Sequence, residues 1–411
     1  MIIELQEKKA NTNSLISKTI DNSNGPKIIT GLRLKLVRFR IKFTLLKVIF
    51  KCYQNPVYWI KSLHYLIKLR RRFLGNTKVH KMVNINGKYH IGLYTPGWNS
   101  RLYEKFIASN LNDFKPIHGI IPNRFNNIFF AITKKCALQC EHCFEWDNLN
   151  KKETLSDTEL VDVIKKIQDK GVSQIHLSGG EPLIKMDAML NLLNHADKST
   201  NFWVVTSGFK LNNENAKRLK EAGLTGAVIS LDHFIPEKHN TFRHFKDAYY
   251  WVEEAVKNAN NNNLITALSL CVTKEFISEQ NLMAYMELAK KFKVSFVQFL
   301  EPKAVGHYVN KDVFLNPEQI EILEKFFIKM NFTKEFRTYP IITYHGYYQR
   351  RQGCLSAGKK GMYIDTDGDM NACPFCHKKT GNVLDDLFEN SLELLESKGC
   401  SSYKSNDGKN S

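Results

Sequence analysis

Between about residues 126 and 302, six apolar, β-branched runs alternate with helical patterns, and this alternation constrains the fold more than any other feature of the chain. The runs lie near 127–132, 173–178, 202–206, 226–231, 265–272 and 294–300. Helix signals fill the gaps. Ser156 with Glu159 makes a capping box, Gly171 closes that helix, and Ala222-Gly223 closes the one that opens near Glu214. Strands separated by helices over about 180 residues predict parallel α/β architecture, because parallel neighbours need a long crossover. In such folds the chemistry gathers at the C-terminal ends of the strands.

The first run, Ile128-Phe-Phe-Ala-Ile132, is followed by Thr133-Lys-Lys-Cys-Ala-Leu-Gln-Cys-Glu-His-Cys-Phe144. Cys136, Cys140 and Cys143 therefore sit on a loop leaving the end of a buried strand. Short spacings of this kind let one loop wrap three thiolates around a compact inorganic centre, as in iron–sulfur proteins; on a four-iron cluster, three thiolates leave one iron open. The spacing also fits a Cys3His zinc site that uses His142. The second run, however, ends in Gly179-Gly-Glu-Pro182. Two glycines let the backbone approach a ligand closely, and the carboxylate of Glu181 can receive an ammonium group. A zinc knuckle needs neither.

The cysteine loop and this turn together resemble the radical S-adenosylmethionine (radical SAM) superfamily. The resemblance implies a partial (β/α)6 barrel and a [4Fe–4S] cluster held by Cys136, Cys140 and Cys143, with its open iron chelated by the amine and carboxylate of S-adenosylmethionine. It places His142 near the adenine and Gly179, Gly180 and Glu181 at the methionine amine. Val204-Val-Thr-Ser-Gly208 matches the end of the third strand, with Ser207 where the family more usually has Asn. Val228-Ile-Ser-Leu-Asp232, followed by His239 and Arg243, matches the fourth, which implies Ser230 and Arg243 at the ribose or carboxylate. The implied reaction passes one electron, from a donor such as a flavodoxin or ferredoxin, through the cluster into the sulfonium. The resulting 5′-deoxyadenosyl radical abstracts hydrogen from a substrate C–H bond. The cofactor carries the difficult step and the protein supplies a dry site, so no catalytic acid or base is assigned.

A second set of cysteines lies C-terminal. Cys354, Cys373 and Cys376 flank Asp367-Gly368, a hairpin signal between strand-like runs. The pattern resembles the auxiliary-cluster region of SPASM and twitch domains, which implies one auxiliary [4Fe–4S] cluster, with Cys400 as its fourth ligand. The further cysteines of a full SPASM pattern are absent from this sequence. A structural zinc ribbon on the same four residues is the alternative. Cys271 reads as core or as a hydrogen donor in the barrel, and Cys52 as chemically idle. With no secretory signal in view, disulfides are not expected and the compartment is read as reducing and cytoplasmic, with a peripheral place at the inner membrane face as a variant.

Charge is segregated. The net value is +18, from 59 basic and 41 acidic residues. Between Asn22 and Tyr103 there is no Asp or Glu but 17 Lys and Arg, which leaves the remainder near balance at 42 to 41. Such segregation points to a polyanion, either a membrane surface or nucleic acid. Leu32, Leu36, Phe39, Phe43, Leu46, Phe50 and Tyr53 recur at steps of four and three, with Arg38, Arg40, Lys42, Lys47 and Lys51 between them. This predicts an amphipathic basic helix ending before Pro56, and a second runs from about Val57 to Phe73. No run approaches the roughly 18 apolar residues that span a bilayer. Either the stripe lies in the interface of an anionic membrane, or it packs on the barrel and leaves a solvated basic face. Tyr53, Tyr58, Trp59 and Tyr65 could stack bases, but no RNA-binding motif accompanies them.

The expected layout is a disordered segment at 1–25 and a basic region with amphipathic helices and a β-hairpin at 26–124. The radical SAM partial barrel follows at 125–310, and a twitch-like or shortened SPASM domain at 311–411. Gln298 and Glu301 fall near the barrel mouth, where Glu301 either serves the substrate or is a charged rim residue. Tyr344 to Arg351 forms an aromatic and basic cluster at the domain junction. Relatives with an auxiliary cluster mostly modify peptides or proteins, or oxidise small alcohols and sugars. The resemblance thus implies a peptide or protein side chain as substrate, with a small or lipid-linked molecule at the membrane surface as the alternative. A zinc and nucleic-acid-binding protein is the alternative of another class.

Overall fold

The computed structural model describes residues 26–354, 356–400 and 402–403. The expected disorder of residues 1–25 lies outside them. The basic region opens with β1 (Lys27–Ile29), the helices α1 (Gly31–Cys52) and α2 (Pro56–Leu74), the hairpin strands β2 (Met82–Ile85) and β3 (Lys88–His90), and α3 (Arg101–Phe114). Asn55 caps α2 by accepting from the Val57 N–H, and Pro56 takes the first helical position, where its missing N–H is not needed. The hairpin turns at Asn86 and Gly87, both at positive φ. β1 pairs antiparallel with β2, which makes a three-stranded sheet.

All six expected strands of the barrel form. They are β4 (Phe125–Ala131), β5 (Val172–Ser178), β6 (Asn201–Thr206), β7 (Leu224–Ser230), β8 (Ile265–Cys271) and β9 (Phe296–Leu300), each parallel to the next. The crossovers carry α4 (Asp157–Asp169), α5 (Met186–His195), α6 (Asn213–Glu221), α7 (Pro236–Arg243), α8 (Ala248–Asn261) and α9 (Glu279–Lys291). The Ser156–Glu159 capping box is present. The sheet does not stop at residue 310. After α10 (Pro317–Phe332), β10 (Ile341–Tyr344) lies parallel against β9. After α11 (His345–Gln352), β11 (Gly361–Ile364) lies parallel against β4 and returns antiparallel as β12 (Met370–Asn371), and α12 (Phe388–Lys398) completes the set. The order β10-β9-β8-β7-β6-β5-β4-β11-β12 is an open, mostly parallel sheet, the form of a partial barrel.

Because successive strand residues point to opposite faces, each strand feeds two layers. Ile175, Leu177, Val204, Leu268 and Val297 are buried in the main core with the helices. On the inner face Trp203, Val228, Ala267, Phe296 and Ile341 pack against Val83, Ile85 and Leu93. The N-terminal hairpin therefore plugs the bottom of the barrel, each fully buried aliphatic side chain contributing about 1.5–3 kcal/mol. Lys81 pins this plug: its buried amine shares its N–H groups among the carbonyls of Met330, Phe336, Tyr339 and Pro340, at 2.9, 3.1, 3.0 and 3.0 Å. Burial presses its pKa down to about 7.

The structure corrects one of the two readings of the apolar stripe. α1 packs through its other side, where Leu34, Val37, Val48, Ile49 and Cys52 meet Tyr103, Ile107 and Leu111 of α3. Leu32, Leu36, Phe39, Phe43 and Phe50 are exposed, between 50 and 77 %. They do not pack on the barrel. Among the described residues no helix is long and apolar enough to cross a membrane.

Candidate functional site

The Cys136 loop leaves β4 at the C-terminal edge of the sheet, and the glycine turn leaves β5 beside it. Ile132 N–H donates to the Ser178 carbonyl at 2.8 Å, Gly180 N–H to Thr133 and Glu181 N–H to Lys135, both at 2.7 Å. Gly179 has φ +132°, and a Cβ there would collide with the Thr133 carbonyl oxygen. A Cβ on Gly180 would collide with the Lys135 carbonyl oxygen and crowd Cys136. The two glycines are what let the turn lie against the cysteine loop. Asn150 clamps the loop from outside, accepting from Cys136 N–H and donating to its carbonyl. On the other side the segment after β9 grips it: His307 N–H donates to the Cys143 carbonyl at 2.9 Å, and the His307 ring stacks on Trp146 with centroids 3.9 Å apart.

Cys136, Cys140 and Cys143 lie close enough for their thiolates to repel one another. Burial pushes the thiols of Cys136 and Cys143 up to about 12 and raises that of Cys140. Partly buried, mutually repelling thiols suit a multi-iron cation, which deprotonates its ligands outright. The Cys3His zinc reading finds no support in the geometry. The His142 ring packs on Phe242 and turns toward Asp232, 3.9 Å away. Among the described residues no three His, Cys, Asp or Glu side chains converge as a single ion requires. A cluster separates its thiolates by its own width.

Glu181 is buried, and its carboxylate is fully held. Oε1 accepts from Leu183 N–H (3.1 Å) and Thr206 Oγ1 (2.7 Å); Oε2 accepts from Ser207 N–H (2.8 Å) and Ser207 Oγ (2.6 Å). Burial raises its pKa against these four bonds. A buried carboxylate of this kind, next to the cysteine loop, suits an ammonium ligand. Ser207, expected at the cofactor, holds Glu181.

Arg243 and Asp232 form a buried pair through Nε and Nη2, both at 2.6 Å. Arg243 Nη1 also reaches the Cys140 sulfur at 3.4 Å. Asp232 further accepts from Cys271 N–H, and the Asp232 N–H donates to His239 Nδ1. Arg243 is therefore committed to Asp232 and to the cysteine loop. Ser230 ends β7 on the inner face, the parity of Val228. Asp232 was not singled out from sequence, although His239 and Arg243, four apart on α7, share the helix face that meets it.

The second set also assembles. Cys354 and Cys400 lie close enough to raise the Cys354 thiol, Cys373 feels both as well as Cys376, and Cys376 N–H donates to the Cys373 carbonyl at 3.0 Å. Burial pushes Cys354 up to about 11 and Cys373 to about 12. The hairpin at Gly368 forms, and it touches the first site. Lys134 pairs with Asp367 at 2.5 Å, and Tyr363 donates to Glu145. Phe144, next in the chain to Cys143, sits edge-on to Tyr363 and to Phe375 beside Cys376, centroids 5.8 and 5.9 Å away. Glu301 is occupied: it accepts from Tyr344 Oη and from Arg350 at 2.6 Å, and Arg350 and Arg351 both pair with Glu324. Despite burial, Lys303, Tyr344 and Arg350 hold its carboxyl below the usual range. The Tyr344–Arg351 cluster is thus an internal brace.

Between these sites the inner faces of β4–β10 carry no Lys, Arg, Asp or Glu. Their polar side chains are neutral. Gln298 donates to Tyr94 at 2.6 Å, Tyr94 packs against His176 and His345, and the buried side chains of Gln174, His176 and Ser178 have no hydrogen-bond partner among the described residues.

An open parallel barrel with three thiols after its first strand, and a caged carboxylate on a double-glycine turn after its second, is the frame of a radical SAM enzyme. Residues 130–288 match the Radical SAM superfamily, and the chain contains a radical SAM domain. That family works with a [4Fe–4S] cluster and S-adenosylmethionine. The GTP 3′,8-cyclase of Aliarcobacter butzleri is 29% identical over 180 residues, 42% of this chain and 54% of that protein. The probable GTP 3′,8-cyclase of Methanocaldococcus jannaschii is 30% identical over 201 residues, 47% and 65% respectively. The chain spans just over half the length of the first of these curated relatives. In fold it is similar to Streptococcus suis SuiB bound to precursor peptide SuiA, with TM-score 0.56, 15% identity, and 75% of this chain and 72% of that one covered. It is also similar to anSMEcpe with bound AdoMet and peptide, with TM-score 0.52, 18% identity, and 66% and 81% covered.

Proposed function

We propose that this radical SAM enzyme modifies a side chain of a peptide or protein. The observation that carries the substrate class is the uncharged, hydrogen-bonding lumen. A nucleoside triphosphate, the substrate named for the cyclase relatives, asks for several cations at its phosphates. None stands on β4–β10, and Arg243, Lys134, Lys303 and Arg350 at the rim are paired with Asp232, Asp367 and Glu301. Peptide amides, by contrast, match the unsatisfied groups of Gln174, His176 and Ser178. The two solved relatives carry peptides, which supports the same reading.

In this proposal Cys136, Cys140 and Cys143 hold the [4Fe–4S] cluster, which when bound supplies the electron that cleaves S-adenosylmethionine. Glu181 receives the ammonium of the methionine moiety, with Gly179 and Gly180 giving it backbone clearance. His142, packed at a tilt on Phe242, offers a ring for the adenine to lie against, and Ser230 a hydroxyl for the ribose. Arg243 stiffens the loop through Cys140 and Asp232. Cys354, Cys373, Cys376 and Cys400 hold one auxiliary cluster, and the electron comes from a flavodoxin- or ferredoxin-like donor.

The test is anaerobic reconstitution followed by iron analysis and reductive cleavage. About eight irons are expected. Peptides deuterated at candidate side chains should then pass deuterium into 5′-deoxyadenosine. Label transfer from GTP, with none from any peptide, overturns the assignment. Bound zinc without iron overturns the whole reading.

A further inference from the structure

We infer that the outer faces of α1 and α2 dock on an anionic lipid bilayer. Leu32, Leu36, Phe39, Phe43 and Phe50 form one exposed line, and Val57, Ile60, Leu63 and Ile67 form another along α2. On α1 the line runs from Leu32 to Phe50, roughly 27 Å at 1.5 Å per residue. Monomeric surfaces rarely leave so much apolar area uncovered, and a patch of this size marks an interaction site.

Charge selects the occupant. Arg33, Lys35, Arg38, Arg40 and Lys42 are exposed beside the apolar line, and Lys61, Lys68, Arg70, Arg71 and Arg72 are exposed on α2. Lys47 and Lys51, near the end of α1, pair with Glu104 of α3. An apolar ridge bordered by cations, without a single acid from Asn22 to Tyr103, complements a layer that is hydrocarbon below and negative at its surface. Long Lys and Arg stems can keep their charges at the headgroups while Leu and Phe enter the acyl boundary. A shallow hollow lined by Phe43, Leu46 and Phe50, with Lys47 and Lys51 at its rim, offers room for part of an acyl chain.

Nucleic acid fits less well, because the aromatics that would stack bases are engaged within the fold. Tyr53 is buried and donates to the Leu111 carbonyl, Trp59 donates to the Tyr53 carbonyl, Tyr58 lies under Lys115, and Tyr65 stacks on Phe114. What remains outside is mostly aliphatic.

The full chain, reconstituted anaerobically, is to be sedimented with vesicles of phosphatidylcholine containing about one-third phosphatidylglycerol. We expect binding that falls at least about tenfold on vesicles of phosphatidylcholine alone, and again in high salt. The double variant Phe39→Glu with Phe43→Glu, and separately Arg38→Gln with Arg40→Gln and Lys42→Gln, should each lose about tenfold or more in partitioning. These side chains are exposed, so unchanged thermal melting and unchanged reductive cleavage of S-adenosylmethionine are expected in both. Equal vesicle binding by wild type and both variants overturns the inference. So does an absence of binding to anionic vesicles, or tighter binding to a single-stranded oligonucleotide that excludes the vesicles.

Discussion

Replacing Glu181 by glutamine should separate cluster retention from cofactor binding. The two backbone N–H groups that bond this carboxylate lie on different oxygens, Leu183 on Oε1 and Ser207 on Oε2. The hydroxyls of Thr206 and Ser207 can rotate to accept, but a backbone N–H cannot. Whichever oxygen becomes an amide nitrogen, one buried N–H then faces a donor, at a cost of about 1–3 kcal/mol in local stability. The lost negative charge removes a charge-assisted bond to the ammonium of S-adenosylmethionine, about 1.5–3 kcal/mol, or roughly 10- to 150-fold in Kd. The three cysteines are untouched, so iron content after reconstitution should match wild type. Equilibrium dialysis with labelled S-adenosylmethionine measures the loss. A variant with full iron and a Kd within about twofold of wild type would refute the role given to Glu181.

Arg243→Gln leaves Asp232 buried without its cation, a loss of about 3–5 kcal/mol, and frees the Cys140 sulfur; thermal melting and iron retention should both fall, with partial recovery in Arg243→Lys. Cys373→Ala should lower the iron count from about eight to about four while reductive cleavage persists, as read by iron analysis and 5′-deoxyadenosine yield. Burial holds His176 at about 3 and His90 and His345 at about 4, against roughly 6.5 in the unfolded chain. The unfolded state thus binds more protons below pH 6.5, and stability present above that value is lost as pH falls toward 4, by up to about 1.4 kcal/mol per pH unit for each ring. Melting midpoints measured from pH 7 to 5 should fall, and His176→Phe should flatten the slope.

The strands and the glycine turn were legible because each has a local cause: β-branched runs for the first, a close backbone approach for the second. Other features depend on partners distant in the chain. Asp232 carries no spacing signal of its own, and its role emerges only when α7 brings Arg243 back across it. Ser207 matched a motif position, yet its hydroxyl and N–H both serve Glu181, which lies 26 residues earlier. The stripe on α1 was read correctly as apolar and periodic. Its destination stays open on sequence alone between a membrane surface and the barrel, because Leu34, Val37, Val48 and Ile49 give the same helix a second apolar side, and periodicity cannot tell which one is covered. Lys81 carries no mark of its own among the cations of the basic region; the end of α10 and the loop after it make it an anchor.

The pairing of β11 with β4 bears on how the protein matures. The strand that delivers the Cys136 loop is among the first of the sheet to be synthesised, whereas its neighbour arrives some 230 residues later. At about 5–20 residues per second, a ribosome takes on the order of ten seconds or more to close that interval. During it the sheet keeps a bare edge at β4, and the Glu145 and Lys134 contacts from the late hairpin do not yet exist. Docking of the last hairpin covers that edge and completes the wall beside the Cys136 loop.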